Sequence, residues 1–172
     1  MLMFNHRRAL YAITLLLIAM LSGCGFKLRG AGDTNLHFKT IYLGFTENSA
    51  LGIDLRRNIR ATGNTEIVTD PKLAEAIVEV VQPEHRDRVV LSLNGAGQPV
   101  EYTLWYRFSF RVRDNHGHEL LPTTMIALRR DQSFNPALAL AMEAEAESLY
   151  RDMQTDLTQQ VLRRLVSLKP VQ

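Results

Sequence analysis

The side chains able to do chemistry are few and scattered. Cys24 is the only cysteine among 172 residues, so neither an internal disulfide nor a Cys-rich zinc site is available. His116 and His118 stand two apart in Asp114-Asn115-His116-Gly117-His118. No third histidine lies near them, and they read as a solvated turn rather than as metal ligands. His85 sits in the charged run Glu84-His85-Arg86-Asp87-Arg88 and faces water on this reading. Glu101 and Asp131 are carboxylates that no motif ties into an acid–base pair. G-x-S-x-G, H-E-x-x-H, Walker A and G-x-G-x-x-G are absent, and Gly95-Ala96-Gly97 lacks the following helix that would hold a phosphate. The expectation is no enzyme, no metal and no dissociable cofactor.

Arginine offers the clearest chemistry that remains. Arg86 and Arg88 precede one strand segment, Arg107, Arg111 and Arg113 share the polar face of the next, and Arg129 and Arg130 end the last. Guanidinium forks match phosphate oxygens two at a time, so one reading is an anionic, phosphate-bearing ligand such as a glycolipid. The other is a solvated sheet face neutralised by Glu101 and other acids. Trp105 among these arginines leans toward a contact surface, because indoles concentrate at binding hot spots.

The chemistry of Cys24 depends on what precedes it. His6-Arg7-Arg8 is a short positive segment, Ala9 to Leu21 is apolar except for Thr14, and Ser22-Gly23-Cys24 closes the stretch. Those 13 residues suit the apolar core of a signal peptide. They fall short of the ~20 needed to span a ~30 Å hydrocarbon core. Leu21-Ser22-Gly23-Cys24 resembles a bacterial lipobox, which implies cleavage before Cys24, S-diacylglycerol on its thiol and an N-acyl group on its new amine. Two or more chains hold a protein stably at a membrane, where one does not. Gly25 follows instead of the Asp that typically retains lipoproteins in the inner membrane, so the same resemblance implies the outer membrane, periplasmic side. Residues 1–23 are read as the signal peptide and 24–40, rich in Gly and polar residues, as a lipidated tether.

Composition agrees with one globular domain, at 46% hydrophobic and 22% charged residues. The formal charge of +2 comes from Arg7 and Arg8; without them 18 Lys and Arg face 18 Asp and Glu. A pI of 8.9 therefore says little about nucleic acid, and none is expected as a partner.

The domain, residues 41–170, is read as follows. Ile41-Tyr42-Leu43 is a short strand. Thr46-Glu47-Asn48-Ser49 offers N-cap side chains for a helix over 49–61, with Leu51, Leu55 and Ile59 on one face and Gly63-Asn64 at its end. Ala76–Val81 and Val89–Leu93 are β-branched, and Pro83 between them means either a bulged edge strand or two short strands. Asn94-Gly95-Ala96-Gly97 turns a hairpin. From Val100 to Arg113 apolar and polar residues alternate strictly: Val100, Tyr102, Leu104, Tyr106, Phe108, Phe110 and Val112 on one face, Trp105 and the arginines on the other. Residues 120–130 return as a further strand. Pro136 opens a long helix with the stripe Leu149, Met153, Leu157, Val161, Leu165 and Leu168. One-sided helices and a one-sided sheet solve to an α+β two-layer sandwich. Two helices pack on one face of a mostly antiparallel sheet of about four strands.

Three segments in this order resemble the LPS-assembly lipoprotein LptE family. They are Cys24-Gly25-Phe26-Lys27-Leu28-Arg29-Gly30, Gly97-Gln98-Pro99-Val100-Glu101-Tyr102, and Phe134-Asn135-Pro136 followed by Ala139-Leu140-Ala141. The resemblance implies a non-catalytic outer-membrane lipoprotein that plugs the lumen of the β-barrel LptD, helps it assemble and binds lipopolysaccharide. Some relatives carry a basic residue just before the Gly-Gln of the hairpin and another just after Ala-Leu-Ala. Here Ala96 or Gly95 and Met142 stand there. Arg86, Arg88, Arg129 and Arg130 are the substitutes expected to contact lipopolysaccharide. A different class of function is an adaptor for another envelope machine, a secretin or a barrel-assembly complex, without affinity for lipopolysaccharide. A periplasmic hydrolase would need a cleft where His and carboxylate converge.

Overall fold

Strict alternation from Val100 onward becomes the backbone of the sheet. In the computed structural model, which describes residues 35–170, it forms the strand β4, Pro99–Arg113. Leu104, Tyr106, Phe108, Phe110 and Val112 are buried on one face of it. Before β4 come β1 (Thr40–Gly44), the helix α1 (Ala50–Thr62), β2 (Glu66–Val68) and β3 (Ala76–Leu93). After it come β5 (Glu119–Ser133) and the helix α2 (Ala139–Ser167). The sheet has five strands in the order β2-β1-β3-β4-β5. The long pairings β3–β4 and β4–β5 are antiparallel, while β1 runs parallel to both β2 and β3. Both helices pack on one side, so the two-layer α+β sandwich is what forms.

The count of about four strands misses β2. Three residues are too few to show a period, and β2 exists only because β1 supplies its hydrogen-bonding edge, with Ile41 opposite Ile67. The tether is also shorter than expected, since Leu36 and Phe38 are 5% and 1% exposed and belong to the core. Thr65 Oγ1 donates to the Phe38 carbonyl at 2.9 Å and Asn64 Nδ2 to that of Leu36 at 3.3 Å, which ties the incoming chain to the end of α1.

Pro83 does not break the chain into two strands. β3 is continuous over 18 residues, with register shifts between Val80 and Gln82 and between Gln82 and His85. The reason is local. β1 pairs with β3 only as far as Glu79, so beyond it β3 has a free edge and the missing proline N–H costs no ladder bond.

The helices close as their caps dictate. Ser49 Oγ accepts from Gly52 N at 2.9 Å, and Gly63, at φ 72°, ends α1 in the left-handed conformation that glycine adopts without strain. Gly52 is needed for space: a Cβ there would lie 2.7 Å from Phe45 Cβ, and Phe45 stacks on Phe108 at 5.6 Å. Asn135 accepts from Ala137 N at 3.0 Å, and Pro136 opens a single 3-10 turn that feeds α2. Met153, Leu157, Val161 and Leu165 of the expected stripe are fully buried. They help close two clusters, a large one around Phe108 and Phe110 and a smaller one of Leu104, Tyr106, Ala146 and Met153. Removing such a side chain from water stabilises the fold by roughly 1.5–3 kcal/mol.

Candidate functional site

The small cluster marks the half of the domain where polar chemistry enters the layer between sheet and helix. Arg86 and Arg88 lie opposite Tyr106 and Leu104 in register, and so point to the face that α2 covers. Arg86 Nη1 donates to both Glu147 oxygens, at 3.2 and 3.3 Å, and its guanidinium carbon lies 5.2 and 5.0 Å from the rings of Tyr106 and Tyr150. Arg88 pairs with Glu143 and stands 4.2 Å from the centre of the Tyr102 ring. Arg130, opposite Leu104, reaches the same helix and donates to Asp156 at 2.7 Å. Three of the four expected arginines therefore already have carboxylate partners on α2.

Arg129 goes the other way. It lies opposite Trp105 on the open sheet face, is exposed, and has no acid partner among the described residues. Arg107 pairs with Asp87 and packs its guanidinium carbon 4.6 Å from the Trp105 ring. Arg111 and Arg113 both bond Glu79, at 2.6 and 2.5 Å. The expected quartet thus does not gather into one site, because period two sends Arg86, Arg88 and Arg130 to one face and Arg129 to the other. The reading missed the aromatic partners Tyr102, Phe134 and Tyr150. The available signal was Glu143 and Glu147, four apart on α2 and therefore on one side of it, matching two arginines that sit two apart on a strand.

Burial pushes the Tyr106 and Tyr150 phenols upward, so both remain neutral at ordinary pH. Tyr150 donates to the Asp87 carbonyl at 2.8 Å, and Gln132 Nε2 to the Met142 carbonyl at 2.7 Å. The first half of α2 is therefore held largely by polar contacts.

Beyond Arg88 the domain ends in a tip of low charge, where Glu101 lies opposite Ser92 and accepts from its Oγ at 2.8 Å. No charged residue occurs from Val89 to Val100 or from Gln132 to Met142, and the two segments meet where Phe134 N donates to the Val100 carbonyl at 2.7 Å. Tyr102 and Phe134 pack edge to face at 5.2 Å. Asn94 Oδ1 accepts from the N–H groups of Ala96 and Gln98, both at 2.9 Å, to shape the hairpin turn. Val89, Val90, Leu91, Leu93, Leu138 and Leu140 stand exposed here, Leu140 by 89%.

His116 and His118 do lie in a turn. Asp114 accepts from both backbone N–H groups and from His118 Nδ1, each at 2.8 Å. His85 contacts Asp87 at 2.8 Å, and neither pair has a serine or threonine hydroxyl bonded to it among the described residues. No group of three His, Cys, Asp or Glu among the described residues is placed to hold a metal. Cys24, the expected lipidation site, and residues 1–23 lie outside the described residues. Among the described residues no helix is long and apolar enough to cross a membrane.

The LptE family model, described as lipopolysaccharide-assembly, matches residues 38–165. The chain belongs to the LptE family. The LPS-assembly lipoprotein LptE of Yersinia enterocolitica is 31% identical to this LptE-family chain over 164 residues, covering 94% of this chain and 77% of the relative. The solution NMR structure of lipoprotein B from Nitrosomonas europaea is 37% identical, with a TM-score of 0.70 over 83% of this chain and 91% of that one. The crystal structure of the rare lipoprotein B from Shewanella oneidensis is 26% identical, with a TM-score of 0.64 over 74% and 94%. A lipoprotein role in lipopolysaccharide assembly at the outer membrane follows from membership in LptE.

Proposed function

We propose that the protein is an outer-membrane lipoprotein, held on the periplasmic side by lipid on Cys24, that plugs the LptD β-barrel, assists its assembly and binds lipopolysaccharide during insertion at the cell surface. The observation that carries this reading is the LptE match across residues 38–165, almost the whole folded domain. The open sheet face is compatible with it. Its Asp87–Arg107 and Glu79–Arg111–Arg113 groups satisfy one another, so the face can lie in a water-filled lumen whose wall is polar. No step in this role requires a catalytic group.

Extraction of the tagged chain in mild detergent tests the partner. A large outer-membrane β-barrel is expected to come down with it; recovery of a secretin or barrel-assembly component instead would favour the adaptor reading. Arg86, Arg88, Arg129 and Arg130 remain the proposed lipopolysaccharide contacts. Arg129 gives the clean test, since Arg129→Gln breaks no ion pair. Weakened binding to lipopolysaccharide is expected, and unchanged affinity for the variant with all four replaced by Gln removes the assignment.

A further inference from the structure

We propose that Glu143 and Glu147 of α2 are internal competitors for a phosphate-bearing ligand at Arg86 and Arg88. To bind, a phosphate monoester of the ligand displaces the two carboxylates. The inference rests on the proposed lipopolysaccharide contact at these arginines and adds to it what must leave before the ligand can enter.

Two kinds of partner surround each guanidinium, and they act differently. The Arg86 guanidinium carbon lies 5.2 and 5.0 Å from the ring centres of Tyr106 and Tyr150. That of Arg88 lies 4.2 and 5.6 Å from those of Tyr102 and Phe134. Neutral rings fix the position of a cation and leave its charge in place. Glu147 and Glu143 supply the neutralising charge, and both come from the helix rather than from the sheet. Without them two positioned cations remain on one face of β3, two residues and so about 7 Å apart along the strand.

The carboxylates are free to go. The side chains of Glu143 and Glu147 are 61% and 57% exposed, so each can turn to water. β1 leaves β3 at Glu79, so no further strand covers the edge beside the arginines, and a ligand can approach from there. The helix segment that carries the acids has little apolar burial to hold it. From 139 to 150 only Ala146 is buried, whereas Met153, Leu157, Val161 and Leu165 are fully buried beyond. Leu138 supplies no side-chain cap at its start. Arg88 Nε is buried without a hydrogen-bond partner, so the closed arrangement carries a cost of its own.

Charge selects what displaces them. A phosphate monoester carries nearly twice the charge of a carboxylate and offers a third acceptor oxygen to the same guanidinium fork. A carboxylate ligand only exchanges like for like. The masked arginines therefore favour phosphate over carboxylate, which bare arginines would do less sharply.

The test uses the full mature lipoprotein in mild detergent, with lipopolysaccharide as the probe. Glu143→Gln with Glu147→Gln is expected to tighten binding about fivefold, because each exposed pair competes weakly. Glu66→Gln with Asp152→Asn removes the same charge at exposed positions that form no ion pair among the described residues, and should change affinity by less than about twofold. Dephosphorylated lipopolysaccharide should bind the parent and the Glu143/Glu147 variant alike. Arg86→Gln with Arg88→Gln should weaken lipopolysaccharide binding about tenfold, and the gain from replacing the acids should vanish in that background. A gain that dephosphorylated lipopolysaccharide shares, that survives loss of the arginines, or that the Glu66/Asp152 variant reproduces is bulk charge and overturns the proposal. Binding weakened by loss of the arginines but not tightened by loss of the acids also overturns it, and leaves the lipopolysaccharide contact standing. Arginine variants that bind like the parent overturn that contact, and this inference with it.

Discussion

Glu84 Oε1 accepts a hydrogen bond from Ser49 Oγ at 2.9 Å and lies 3.4 Å from the Leu51 N–H, so a carboxylate on β3 completes the cap of α1. The shift in register around Pro83 delivers it there, and a feature that interrupts the strand thereby joins sheet to helix. Glu84→Ala and Ser49→Ala are each expected to lower unfolding free energy by about 1 kcal/mol. The double variant should lose less than the two losses combined, because both act on one cap. Urea denaturation of the four proteins decides it, and strict additivity would show the two residues to be independent.

Arg86 holds the first half of α2 through Glu147 and two tyrosine rings, at a site about one-third exposed. Arg86→Ala should cost only about 1 kcal/mol, since exposed pairs are screened and the ring contacts carry much of the effect. The informative result is where the change falls. Amide exchange should quicken over 139–150 and stay slow over 157–165, where apolar burial dominates. Uniform acceleration along α2 would contradict the division of labour.

Two leucines on the same helix separate core from surface. Leu157 is fully buried and Leu140 is 89% exposed. Leu157→Ala should destabilise by about 2–5 kcal/mol, by lost transfer energy and the cavity left behind. Leu140→Ser should stay within about 0.5 kcal/mol. Comparable losses in thermal unfolding would mean that the tip packs against something within the domain.

Glu79 carries a pH dependence. Burial pulls its carboxyl upward, but hydrogen bonds from Arg111 and Arg113, and then their charge, outweigh it and hold the group below its ordinary value of 4.5. A depressed carboxyl stabilises the fold above its unfolded value and loses that contribution as pH falls through the folded one. The stability gap between the parent and Glu79→Gln should therefore be full at neutral pH and shrink steadily below pH 4.5. Urea midpoints measured across that range give the answer, and a constant gap would remove the two arginines as its source.

Much of this architecture was legible because its signals are local. Alternation along Val100–Arg113, the Leu51-Leu55-Ile59 face behind the capping run Thr46-Glu47-Asn48-Ser49, and the four-residue steps of Met153, Leu157, Val161 and Leu165 are each set by neighbouring residues together. Each is found where it was expected. The family resemblance was carried in the same way, by short runs in a fixed order.

Three features depended on partners distant in the chain. β2 needs the edge of β1, and the continuity of β3 past Pro83 needs the fact that β1 stops at Glu79. The arginines show the limit most clearly. Period two assigns Arg86, Arg88 and Arg130 to one face and Arg129 to the other, but nothing nearby in sequence says that Glu143, Glu147 and Asp156 will lie over the first three. Side-chain direction is a property of a strand and can be read along it. Whether a charge meets an acid, a ring or open water is a property of how layers stack, and that is settled only when the chain has closed on itself.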